Sequence, residues 1–76
     1  MVEKEIVLSQ IDDVKQFVMA TSARNFEIDL VSGKYIVNAK SIMGIFSLDL
    51  TKPICMRAEC GESDPFIEEI QRFIAE

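Results

Sequence analysis

Histidine is absent from all 76 residues. Its absence excludes imidazole general bases, histidine-ligated metals and phosphohistidine carriers. Cysteine is scarce, and two residues are too few for a disulfide-stapled secreted scaffold. The three glycines, Gly33, Gly44 and Gly61, stand alone, so there is no glycine-rich phosphate loop. The longest uncharged runs are eight residues, far short of the ~20 that a membrane helix needs. Positive charge is sparse and scattered: eight Lys and Arg between Lys4 and Arg72 form no block. With a net charge of −5, the chain would repel a phosphate backbone, and nucleic acid is not an expected partner. Met1 to Glu5 carries three charges and no apolar run, so no signal peptide is expected. What is present is a globular balance, 49% apolar and 28% charged. The expectation is one cytoplasmic domain over residues 1–76, with no membrane association, cofactor or metal.

The apolar pattern is organised. From Val2 to Leu8, Ile6 and Leu8 share one face and Glu3, Glu5 and Val7 the other, as in a half-buried strand. Ile11, Val14, Phe17, Val18 and Thr21 follow at helical spacing, with Asp12 and Asp13 in the first turn, where the helix dipole favours acids. Phe26, Ile28 and Leu30 alternate with Glu27 and Asp29; Ser32-Gly33 is a turn signal, and Tyr35-Ile36-Val37 completes a hairpin. Ser41 can cap a short helix over Ile42–Phe46. A strand is expected over Ile54–Cys60, with Ile54, Met56, Ala58 and Cys60 on one face and Cys55, Arg57 and Glu59 on the other. Asp64-Pro65 then starts a last helix with a stripe of Phe66, Ile67, Ile70, Phe73 and Ile74. The order is β-α-β-β-α-β-α. Alternating strands imply a four-stranded antiparallel sheet with one wet face and three helices on the other, an α+β open-faced sandwich.

Chemistry is thin along this scaffold. Cys55 and Cys60 sit five apart on one strand, on opposite faces, so they cannot form a disulfide with each other. They read as small hydrophobes, with Cys55 on the open face as the more reactive of the two. The local acid pairs Asp12-Asp13, Glu68-Glu69 and Glu62/Asp64 read as caps and solvated faces. The segment Lys40-Ser41-Ile42-Met43-Gly44-Ile45-Phe46 is unusually apolar for one short helix. Ile42 and Phe46 form an i, i+4 stripe with Met43 beside them, and if Ile45 and Leu48 point inward this stripe faces water. An exposed stripe beside a serine is a docking signature, whereas a capped helix with an apolar underside is the plain structural reading.

Asn38-Ala39-Lys40-Ser41-Ile42-Met43-Gly44-Ile45-Phe46-Ser47-Leu48 closely resembles the regulatory-serine segment of the HPr family, phosphocarriers of the bacterial sugar phosphotransferase system. The resemblance extends more weakly from Thr21 through Phe26–Val31 and on to the last helix, and the family fold has the same element order. The N-terminal part departs from the pattern. The family's Gly-Leu-His-Ala-Arg-Pro run falls, by ungapped counting from Ser41, on Leu8-Ser9-Gln10-Ile11-Asp12-Asp13. Gln10 takes the phosphohistidine position, as in the catabolite-repression paralogue of HPr, which also lacks the histidine. Asp12 takes the arginine position and reverses its charge, a change that paralogue does not share.

The resemblance implies that Ser41 accepts phosphate from an HPr kinase/phosphorylase. It also implies that Ile42, Met43 and Phe46 flank the serine in a docking surface, which in the family meets a LacI-type transcription regulator. An amide nitrogen cannot take and return a phosphoryl group as imidazole does, so no histidine-type phosphotransfer, and no catalytic residue, is expected. The expected protein is a non-enzymatic regulatory module in carbon catabolite control. The alternative is an orphan binding module on the same fold, with Ser41 no more than a helix cap.

Overall fold

The computed structural model describes residues 1–75. It contains β1 (Val2–Ile6), α1 (Ile11–Ser22), β2 (Ile28–Ser32), β3 (Tyr35–Asn38), α2 (Ile42–Phe46), β4 (Ile54–Ala58) and α3 (Pro65–Glu69), followed by a 3-10 turn at Gln71–Phe73. The element order is the expected one. The four strands form one sheet in the order β1-β4-β2-β3, and every neighbouring pair is antiparallel.

Register assigns each side chain to a face. Val2, Ala58 and Ile28 lie in one cross-strand row, and Lys4, Met56, Leu30 and Val37 in the next. This face is buried under the helices by Val14, Phe17, Ile45, Phe66, Ile70 and Phe73. Two edge-to-face aromatic pairs tie α1 to the C-terminal turn and the approach to β2 to α3: Phe17 with Phe73 at 5.8 Å and Phe26 with Phe66 at 5.7 Å. The other face carries Glu3, Arg57, Asp29 and Asn38 in one row, and Glu5, Cys55, Val31 and Ile36 in the next. The molecule is thus an open-faced α+β sandwich. No helix among the described residues is long and apolar enough to cross a membrane.

Local signals account for most boundaries. Gly33 holds φ at +61, the left-handed region that a two-residue hairpin turn requires and a side chain resists. Asp64 caps α3 through the Phe66 N–H at 2.9 Å, with Pro65 at the first helical position. Three expectations need correction. Ile11, read as part of the α1 core stripe, is 65% exposed, because at the first turn it lies one step beyond the buried Val14. β4 ends at Ala58, so Cys60 lies past the strand. The last helix stops at Glu69, and Ile74 is not helical. Instead the chain straightens and pairs with β1: the Val7 N–H donates to the Phe73 carbonyl and the Ala75 N–H to the Glu5 carbonyl, both at 2.8 Å, flanking the Ile6–Ile74 bridge. Backbone pairing satisfies groups that one more helical turn would have left at an open sheet edge.

Thr21 is the one fully buried polar side chain of the described core. Its hydroxyl donates to the Ala39 carbonyl at 2.8 Å and lies 3.1 Å from the Val18 carbonyl, tying α1 to the loop ahead of α2. Thr21→Val keeps the shape but leaves the Ala39 carbonyl without that partner. Urea denaturation should show a loss of about 1–3 kcal/mol; a neutral result would mean that the carbonyl finds another donor.

Candidate functional site

The segment before α2 is fixed by a set of short polar contacts. The Ala39 N–H donates to the Ile28 carbonyl at 2.9 Å, while its own carbonyl receives the Thr21 hydroxyl. The Lys40 N–H donates to Asn38 Oδ1, and the Lys40 ammonium reaches back to the Arg24 carbonyl, both at 2.8 Å. The Ser41 N–H donates to the Asn38 carbonyl at 3.0 Å. These bonds leave little freedom in the chain that delivers Ser41 to the surface.

Ser41 is exposed and is the N-cap of α2, with φ −104 and ψ 108. Its Oγ accepts from the Gly44 N–H at 3.1 Å, and its carbonyl from the Ile45 N–H at 3.1 Å. The Ile42 and Met43 N–H groups, in the first turn of α2, have no partner among the described residues. Gly44 is needed by close approach: a Cβ there would stand 3.2 Å from Ser41 Oγ and 3.3 Å from Val37 Cβ. Ser41→Ala removes the cap bond and should cost about 1 kcal/mol in unfolding free energy, read as a shifted denaturation midpoint. No change would show that water replaces the cap without loss.

Of the expected stripe, Met43 and Phe46 are exposed, whereas Ile42 packs partly against the core. Ile45 is fully buried and Leu48 is 8% exposed, so the inner face of α2 is in the core. Met43 is 77% exposed, Phe46 is 40% exposed and Ile42 is half-buried. The structure thus places the hydroxyl and three apolar side chains on one short helix. Neither the hollow between α1 and the C-terminal turn nor that between the β2–β3 turn and the loop after α2 is lined by Ser41, Ile42, Met43 or Phe46. The patch suits a protein surface better than an enclosed small molecule.

Gln10, which the resemblance sets at the phosphohistidine position, is the exposed N-cap of α1. Its side chain makes no cap bond; only its carbonyl accepts, from the Val14 N–H at 3.3 Å. Asp12 is exposed in the first turn beside it. The start of α1 therefore presents an amide and a carboxylate, with neither a nucleophilic base nor a cation. Ile11 stands exposed between them; helical spacing assigned it to the core, and only its place in the first turn hinted otherwise.

The cysteines stay apart, and both are free thiols. Cys55 is half-buried on the open face, between Glu5 and Val31. Burial, with Asp64 nearby, pushes the Cys60 thiol above its ordinary range, which makes it a poor nucleophile. No group of three or more Cys, Asp or Glu is arranged to hold a metal among the described residues.

No protein-family model matches this chain, and no curated protein does. Solved structures do. HPr-C-His from Thermoanaerobacter tengcongensis superposes with a TM-score of 0.77 at 26% identity, covering 95% of this chain and 89% of that one. The phosphocarrier protein HPr from Bacillus anthracis str. Ames gives 0.72 at 25% identity, covering 97% of this chain and 96% of that one. The match covers nearly the whole chain, so the chain is HPr-like in fold and similar to the phosphocarriers.

Proposed function

We propose that this HPr-like protein is a non-enzymatic docking module of a bacterial cytoplasm, switched by phosphorylation of Ser41 and without histidine-type phosphotransfer. The supporting observation is an exposed N-cap hydroxyl on the same helix as exposed Met43 and Phe46, in a chain without histidine whose Gln10 falls, by the resemblance, at the phosphohistidine position. In the switch, Ser41 Oγ attacks the γ-phosphorus of ATP bound to an HPr kinase/phosphorylase. A new O–P bond forms, ADP leaves, and the hydroxyl proton passes to a base of the kinase. The phosphate adds about −1.5 to −2 charge at pH 7. It meets the unpaired Ile42 and Met43 N–H groups of the first turn without requiring the domain to refold.

The kinase docks on the apolar patch formed by Ile42, Met43 and Phe46, and the partner then reads the new charge beside that same patch. A LacI-type transcription regulator is one partner the resemblance suggests, and Asp12 weakens that pairing by presenting an acid where the family presents an arginine. Incubation with an HPr kinase and ATP, followed by mass-spectrometric mapping, should place one phosphate on Ser41. An unlabelled Ser41, under conditions that label an ordinary HPr, would refute the switch.

A second reading rests on the cap bond itself. Ser41 Oγ is already engaged by the Gly44 N–H, as a purely structural cap would be. In that case the fold is a binding module with no phosphorylation, and a partner captured by wild type would bind Ser41→Asp no better. A preference for the acidic form supports the switch.

A further inference from the structure

The two edges of the sheet are treated differently. The outer edge of β1 is covered at its C-terminal end by the chain's own last residues, through the Val7–Phe73 and Ala75–Glu5 hydrogen bonds, and the rest of it carries the acids Glu3 and Glu5. The outer edge of β3 has no such cover. In the β2–β3 hairpin, the two-residue turn makes Ser32–Tyr35 and Leu30–Val37 the hydrogen-bonded pairs, so the backbone groups of Ile36 and Asn38 point outward. The Asn38 carbonyl receives the Ser41 N–H, while the N–H and carbonyl of Ile36 have no partner among the described residues. The side chain of Ile36 is 64% exposed and that of Tyr35 71%. Beyond the Ser41–Asn38 hydrogen bond, this edge is protected by its short length and the flanking Lys34.

We infer that β3 pairs with β3 of a second copy, antiparallel about a two-fold axis at Ile36, to give a continuous eight-stranded sheet. Charge and register select this occupant. β3 itself, Tyr35-Ile36-Val37-Asn38, carries no charge in a chain of net −5, so this is the edge where two copies meet without acid facing acid. Centring the pair on Ile36 sets Ile36 against the partner's Ile36, and Tyr35 against the partner's Val37. Each outward Ile36 N–H then meets an Ile36 carbonyl. The apolar row Cys55–Val31–Ile36 on the open face runs on into its symmetry mate.

The same register puts Lys34 opposite the partner's Asn38, whose own neighbour across β2 is Asp29. The charged row Glu3–Arg57–Asp29–Asn38, in which Arg57 and Glu3 pair at 3.4 Å, thereby gains a cation next to its last free acid. Centring on Asn38 instead would set Ile36 against Lys40 and lose both gains. Four residues a side bury well under the ~1,600 Å² of a standard interface, so the dimer is weak and concentration-dependent.

The test is sedimentation velocity, with amide chemical shifts followed from about 10 μM to about 1 mM protein, a range that brackets weak affinities. The expected result is a monomer–dimer equilibrium, with concentration-dependent shifts centred on the Ile36 and Asn38 amides. Ile36→Lys should abolish both; Ile36→Pro, whose lost N–H is an outward one and not part of the β2–β3 ladder, should do the same, so neither result depends on one variant folding well. Met19→Lys, at a 70% exposed site on α1, should leave the equilibrium intact. A monomer throughout the range overturns the inference. So does a dimer whose shifts map to the helices and survive Ile36→Lys, or an edge that accepts only a foreign extended peptide.

Discussion

Phe17→Ala should cost about 3–5 kcal/mol in unfolding free energy. Phe17 is fully buried, and its ring meets Phe73 at 5.8 Å with the planes at 90°. Truncation removes both the transfer free energy of the ring and the edge-to-face contact. The surroundings cannot collapse easily into the gap, since the residues around it come from the sheet, α1 and the C-terminal turn. A domain of this size has roughly 4–11 kcal/mol of stability in total. The variant should therefore sit near its unfolding midpoint in mild denaturant and show a much lower Tm. Urea titration followed by circular dichroism reads this directly; a loss under about 1 kcal/mol would mean that Phe17 is not the core residue described. The change is structural, so loss of partner binding in Phe17→Ala would say nothing about docking.

The second large effect is on recognition alone. Met43→Lys should weaken docking to the HPr kinase by about 30-fold or more, the ~2 kcal/mol that marks an interface hot spot. Met43 is 77% exposed, so truncation or charge there disturbs no core packing, and the unfolding midpoint should stay within about 0.5 kcal/mol of wild type. Calorimetry on the kinase complex measures the affinity, and the rate of Ser41 labelling at low substrate gives a second readout. Wild-type affinity in a folded Met43→Lys protein would remove the apolar patch from the docking surface. Ser41 labelling could survive that outcome, so the patch and the phosphorylation site are tested separately.

Much of the fold was legible because it rests on local chemistry. Alternation in β1, β2 and β4 follows from a sheet with one covered face, and it placed Ile6, Ile28, Leu30, Ile54, Met56 and Ala58 on the buried side. Asp64-Pro65 and Ser41 act through their own backbone neighbours, so capping could be read within four residues. Helical period grouped Ile42, Met43 and Phe46 into a stripe but left open which side of α2 faced the core; only packing turned Ile45 and Leu48 inward and left Met43 and Phe46 outside. Ile11 and Ile74 were misread for one reason: each has the right spacing for an apolar stripe at the end of an element. Spacing describes direction around an axis, and it cannot say where along that axis the core stops.

By itself the sequence determined the element order, the capping serine with its apolar neighbours, and the lack of any imidazole, because these depend on residue identity and near neighbours. Only the tertiary structure decided that the C-terminal residues straighten to pair with the end of β1, that Thr21 anchors the Ser41 loop through the Ala39 carbonyl, and that β3 keeps a free edge. Those outcomes depend on pairings between residues 18 to 70 positions apart along the chain, where a donor meets its acceptor only once the sheet has closed.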